Sequence, residues 1–188
     1  TAAGVTDAFL AEWTAAGALV GVQVLTGPGL EEIADLARCA GGDLAVLANS
    51  DSEQLDVAGR ATVQLATGLD AVLARFAADG TLRWAIAAVV GPGPCSGEHV
   101  EALTDDALLL TGIYADGARF GPGGPTLPAN GATDGFASKL GPDGSLHWLR
   151  RFGSAGPLLG LTVSARPDGT VMVSGDRGAN ELTVFTQR

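Results

Sequence analysis

The stretch ATDGFASKLGPDGSLHWL from Ala132 has two relatives in the same chain, and that repetition constrains the fold more than any other feature. The relatives are VTDAFLAEWTAAGALVGV from Val5 and GLDAVLARFAADGTLRWA from Gly68. Asp7, Asp70 and Asp134 stand 63 and 64 residues apart, and the turn glycines Gly17, Gly80 and Gly144 keep those spacings. Self-similarity at a fixed period marks a repeat architecture, in which one unit buries its apolar face on the next.

Within each copy the apolar residues fall two apart: Phe9, Ala11 and Trp13, then Val72, Ala74 and Phe76, then Phe136 and Leu140 around Ser138. Period two is a strand with one buried face. Ala-Ala-Gly, Ala-Asp-Gly and Pro-Asp-Gly follow, supplying the positive φ that a tight hairpin needs. Trp84 and Trp148 stand four residues after the turn glycine, where the first copy has Gly21 and so lacks a large apolar filler.

A second hairpin lies between the first ones: LARCAGGDLAVLAN from Leu36, HVEALTDDALLLTG from His99 and TVSARPDGTVMVSG from Thr162. Aligned at 63 residues, Leu44, Ala107 and Thr170 correspond. Asn49, Gly112 and Gly175 close the strands as residues that tolerate the left-handed conformation. The expected unit is four strands in two hairpins. TGPGLEE, VGPGPCS and RFGPGGPTLPANG read as connections, too polar and too rich in Gly and Pro for strands. LEEIADLARCA has helical spacing, but its equivalents EHVEAL and LGLTVSA do not share it, so it reads as loop then strand.

The third copy is similar to the bacterial β-propeller repeat known as SBBP. Phe120, Gly121, Asp134, Phe136, Lys139, Leu140, Asp143, Gly144, Leu146, Trp148, Phe152 and Gly153 match that pattern. The first copy departs from it, with Glu12 and Trp13 in place of the Lys-hydrophobic pair and Gly21 in place of the Trp. The resemblance implies blades of four antiparallel strands, the SARPDGTVMVSG type of hairpin inside and the DGFASKLGPDGSLHW type outside. It also implies an extracellular or cell-surface location. The Trp and Phe residues of the outer pair would pack between blades. Middle strands such as ALLLTG and TVMVSG would be covered on both faces, which explains their continuous apolar runs.

The fold expected is therefore all-β: one domain over residues 1–188, a β-propeller-type array of about three blades, with repeats near 1–66, 67–129 and 130–188. Closed propellers have about 4 to 8 blades, so an end sheet would be left with apolar surface in water. The favoured source of the missing blades is sequence upstream of Thr1, because TAAGVTD opens in mid-unit. The alternative is a ring completed by a second copy.

Charge narrows the function. Eleven Lys and Arg against 21 Asp and Glu give a net charge of −10, unsuited to a phosphate backbone, so nucleic acid is not an expected partner. No apolar run reaches the ~18 to 20 residues of a membrane helix. Cys39 and Cys95 form no C-x-x-C, and with only His99 and His147 they make no metal site. Their number allows one disulfide, but the strand placement sets them at opposite ends of an inner strand, and the favoured reading is two separate thiols, Cys39 half-buried.

Asp7, Asp70 and Asp134 recur once per blade, as strand-start caps do, and Asp105 and Asp168 are turn acids. No G-x-S-x-G elbow or phosphate loop is present, and no cofactor is expected. His147 reads as a rim residue, and His99, beside Glu98 and Glu101, is the one acid–base neighbourhood. The reading is a non-enzymatic binding or scaffold module that recognises a protein or glycan through GPGPCSGEH and YADGARFGPGGPTLPANG. An assembly subunit joined through exposed end blades is the alternative, and a hydrolase with catalytic groups on absent blades the third.

Overall fold

The computed structural model describes residues 4–153, 158–166, 168–177 and 183–185. Every regular element among them is a strand, as the period-two pattern predicts. β1 (Ala8–Trp13) and β2 (Leu19–Thr26) form a hairpin. The chain then leaves for a hairpin of the next sheet, β3 (Glu31–Arg38) and β4 (Leu44–Ser50). It comes back: β5 (Gln54–Val57) pairs with β2, and β6 (Ala61–Gln64) with β5. Only then does it complete the second sheet with β7 (Asp70–Phe76) and β8 (Leu82–Val90).

The cycle repeats. β9 (Cys95–Ala102) and β10 (Leu108–Tyr114) open the third sheet, β11 (Ala118–Phe120) and β12 (Thr126–Leu127) return to β8, and β13 (Asp134–Leu140) and β14 (Leu146–Gly153) finish the third. β15 (Leu158–Ala165) and β16 (Val171–Arg177) form a two-stranded fourth sheet, and β17 (Thr183–Phe185) returns to β14.

Return strands are added to the four-stranded antiparallel unit in two of the sheets: among the described residues the first to fourth sheets hold four, six, five and two strands. RFGPGGPTLPANG, expected to be a connection, holds β11 and β12. ELTVFTQR reads in sequence as a single outer strand after the last inner hairpin; of it only Thr183–Phe185 are described, and they join the third sheet. GPGPCSGEH is a connection only as far as Pro94, because Cys95 already pairs with Tyr114. LEEIADLARCA is strand from Glu31, with no loop first. The return strands cover the outer edge of the preceding sheet, which would otherwise offer unpaired backbone groups.

A second correction concerns register. Gly42, Asp106 and Gly169 hold the same turn position at φ of 87°, 61° and 84°, so Leu44 corresponds to Leu108 and Val171, not to Ala107 and Thr170. The first spacing is 64, and a one-residue slip exchanges the two faces of a strand. Nor do Asn49, Gly112 and Gly175 adopt positive φ. Asn49 instead brackets Gly97: its Oδ1 accepts the Gly97 N–H at 2.9 Å and its Nδ2 donates to the Gly97 carbonyl at 3.0 Å. A Cβ on Gly97 would lie 2.5 Å from Leu47, so only glycine lets β9 approach β4 this closely.

The sheets stack face to face. Leu25, Leu55 and Val57 pack on Val46, Val72 and Phe76 between the first and second. Leu47, Leu73 and Val89 pack with Leu108, Leu110 and Phe136 between the second and third. β4, β7, β10 and β13 lie mid-sheet with another sheet on each side, and so are buried along nearly their whole length. β16 was expected to share that state, yet Met172 is exposed, because no further strand or sheet covers it among the described residues. At the other end Phe9, Trp13, Val22 and Val24 lie exposed on one face of the first sheet.

Candidate functional site

Three groups of polar side chains emerge from this stack. In the first, Asp70 and Asp134 open β7 and β13, and both are buried. Asp70 accepts the N–H of Ala66 at 2.6 Å and of Gly91 at 3.0 Å. Asp134 accepts that of Asn130 at 3.0 Å, four residues back as in the Asp70 cap. Burial pushes the Asp70 carboxyl above its ordinary range, against the pull of those two N–H groups. Asp7, half-buried, precedes β1. Asp70→Ala should therefore cost about 1–3 kcal/mol for each N–H left without an acceptor. Urea unfolding measures it, and an unchanged midpoint would remove the capping role.

Gly17, Gly80 and Gly144 take φ of 81°, 79° and 81° in the outer turns. The indole Nε1 of Trp84 donates to the Pro142 carbonyl at 2.9 Å, in the turn of the following sheet. The first copy has Gly21 there, and Gln23 reaches across instead, its Nε2 donating to the Gly80 carbonyl at 3.1 Å. Trp148 is half-buried, with the Arg150 guanidinium 5.8 Å above its ring.

The second group is a charge cluster at the turn ends of the second and third sheets. Asp43 Oδ2 accepts from Arg75 Nε at 2.8 Å and Arg83 Nε at 2.6 Å, while Arg83 Nη2 reaches Oδ1 at 3.0 Å. Arg75 also donates to the carbonyls of Asp106 at 3.1 Å and Pro142 at 3.4 Å, tying one sheet to the next. The two guanidiniums, Arg83 foremost, hold the Asp43 carboxyl below the usual carboxylate range. Lys139, 64 residues after Arg75, pairs instead with Asp105 at 3.0 Å.

The third group surrounds His99. Its Nδ1 lies 2.6 Å from Asp35 Oδ2, which also accepts the Val100 N–H at 3.0 Å. Glu98 accepts the Leu161 N–H and Glu101 the Ala165 N–H, so the acids beside His99 fasten the third sheet to the fourth. His147 is exposed in β14. Cys39 and Cys95 are unpaired thiols, and Cys39 is buried at 3% exposure instead of half-buried. Burial raises both, Cys95 to about 11, so neither is a thiolate near neutrality.

Sequence reasoning missed Asp35, Asp43, Arg75 and Glu31, whose carboxylate gathers the hydroxyls of Ser50 at 3.0 Å and Ser52 at 2.6 Å. One signal was available: Arg75 and Lys139 share a repeat position and both are cationic.

Fold and polar groups together define an all-β repeat protein of stacked antiparallel sheets. Comparison with known proteins finds no matching family model and no matching curated protein.

Proposed function

We propose that the chain is a non-enzymatic, propeller-type binding and scaffold module that recognises a protein or glycan through loops. The supporting observation is where the recurrent polar residues are spent: Asp70 and Asp134 on backbone N–H groups, Asp43 and Arg75 on joining sheets. GPGP packs against Ala115 and Ala118, so within the proposed loops the reading rests on Pro122–Pro125, where Pro122, Gly123 and Pro125 are exposed.

Replacing Pro122–Gly124 by the Ala58–Arg60 connection of the first return hairpin tests this. Glycan and peptide arrays should give a ligand for the wild type that this variant loses with its urea midpoint unchanged. Arrays on which the wild type retains nothing would overturn it. The structural-assembly reading is second, and the exposed Phe9, Trp13, Val22 and Val24 favour it.

A further inference from the structure

Of the two asparagines among the described residues, one is locked and one is not. Asn49 is 7% exposed in β4, and both ends of its amide are held by Gly97. Asn130 is exposed between β12 and β13, and its side-chain amide makes no hydrogen bond among the described residues. Gly131 follows it, and the Gly131 N–H likewise donates to no acceptor among the described residues.

The backbone here is fastened on one side only. The Ala129 N–H donates to Asp116 Oδ1 and the Asn130 N–H to Asp134 Oδ2, each at 3.0 Å, whereas Gly131, Ala132 and Thr133 lie in no strand. Asparagine is a thermolabile residue. A glycine after it, having no Cβ, offers the least hindered backbone nitrogen to its side chain.

We propose that Asn130 is a deamidation site whose product is a carboxylate set against Asp134. The Gly131 nitrogen bonds to Asn130 Cγ, closing a cyclic succinimide. The Cγ–Nδ2 bond breaks, and ammonia leaves with the proton that the Gly131 nitrogen gives up. Water then adds to one ring carbonyl and breaks its bond to that nitrogen. Opening at Cγ leaves aspartate, and opening at the backbone carbonyl leaves isoaspartate, with the chain running through Cγ. One water is consumed and one ammonia released, with no oxidation or reduction.

The surroundings decide what that change does. A Cβ on Gly153 would lie 2.5 Å from Asn130 Nδ2 and 2.7 Å from Asp134 Oδ2, so both side chains lie over the same glycine. Asp134 is fully buried at the start of β13. A second carboxylate there repels the first. Isoaspartate also adds a backbone methylene inside the loop that the Asn130 N–H and Asp134 Oδ2 close. Either product loosens the cap. Asp79, Asp143 and Asp168 precede glycines too, but they accept the N–H groups of Thr81, Ser145 and Thr170, and an ionised carboxylate resists a nucleophile.

Trypsin separates the two asparagines, since cleavage after Arg38, Arg60, Arg119 and Lys139 puts Asn49 in residues 39–60 and Asn130 in residues 120–139. The folded chain is held for weeks in mildly alkaline buffer at physiological temperature, with a sample digested at once as the blank. The 120–139 peptide should split into asparagine, aspartate and isoaspartate forms, isoaspartate in excess, while the 39–60 peptide stays single. Gly131 holds no positive φ, so Gly131→Ala fits the backbone, and its added methyl should slow conversion several-fold. Asn130→Asp should lower the urea midpoint at neutral pH, whereas Asn130→Ala, which adds no charge, should leave it nearly unchanged.

A folded chain that keeps Asn130 intact when the isolated 120–139 peptide has converted overturns the proposal. So does conversion at an unchanged rate in Gly131→Ala, or an Asn130→Asp midpoint equal to that of Asn130→Ala.

Discussion

Asp43→Ala should lower stability by about 3 kcal/mol in urea unfolding, the low end of the range for breaking a buried ion pair, because Arg75 keeps Asp106 at 3.7 Å. The Arg75 side chain is only 5% exposed and cannot recover its hydration, whereas Arg83 turns to solvent. The double variant Asp43→Ala with Arg75→Met should regain most of the loss, since replacing both partners by apolar groups removes the stranded charge. A double variant no more stable than the single one would show that the cluster acts by packing alone.

The pH dependence has a definite sign. The folded Asp43 carboxyl lies below its unfolded value, so its contribution is present above about pH 3.9 and is lost as pH falls through the folded value. Asp70 is raised by burial and has the opposite sign: its folded form takes up the proton first, so acidification through its folded value favours the native state. Unfolding midpoints for wild type and Asp43→Ala should therefore converge below pH 4. A gap that stays constant down to pH 2 would remove the ionic explanation.

Much of this organisation is legible in the repeat. The three Asp residues, the turn glycines and the period-two strands carry local rules, since each needs only its neighbours to be read. The return strands were not legible as such. Leu55 and Val57 alternate with polar residues, as do Ala118 and Phe120, but both runs are short and flanked by Gly or Pro. Leu25, the partner of Val57, and Val89, the partner of Phe120, lie across an intervening hairpin, and nothing local reports that pairing. The charge cluster was hidden for the same reason, because Asp43 and Arg75 meet only when β4 pairs with β7, and Asp106 joins them only once the sheets stack. The 64-residue step between the first inner turns also misled the alignment by one residue, which was enough to exchange faces.

Phe9, Val72 and Phe136 occupy one repeat position, yet substitution there should have very different effects. Phe136 is fully buried, its ring 5.1 Å from Phe120 and 6.5 Å from Tyr114 in edge-to-face contacts. Phe136→Ala should cost about 3–5 kcal/mol, the transfer loss plus a cavity that the β10 and β13 ladder holds open. Tyr114 adds to the rigidity, for its hydroxyl donates to the Pro128 carbonyl at 3.2 Å, and burial pushes its ionisation up to about 12. Phe9 is 64% exposed on the first sheet, so Phe9→Ala at concentrations that hold the chain single should shift the urea midpoint by less than about 0.5 kcal/mol. A Phe9→Ala chain as destabilised at high dilution as Phe136→Ala would mean that the first sheet's outer face is already covered by its own chain.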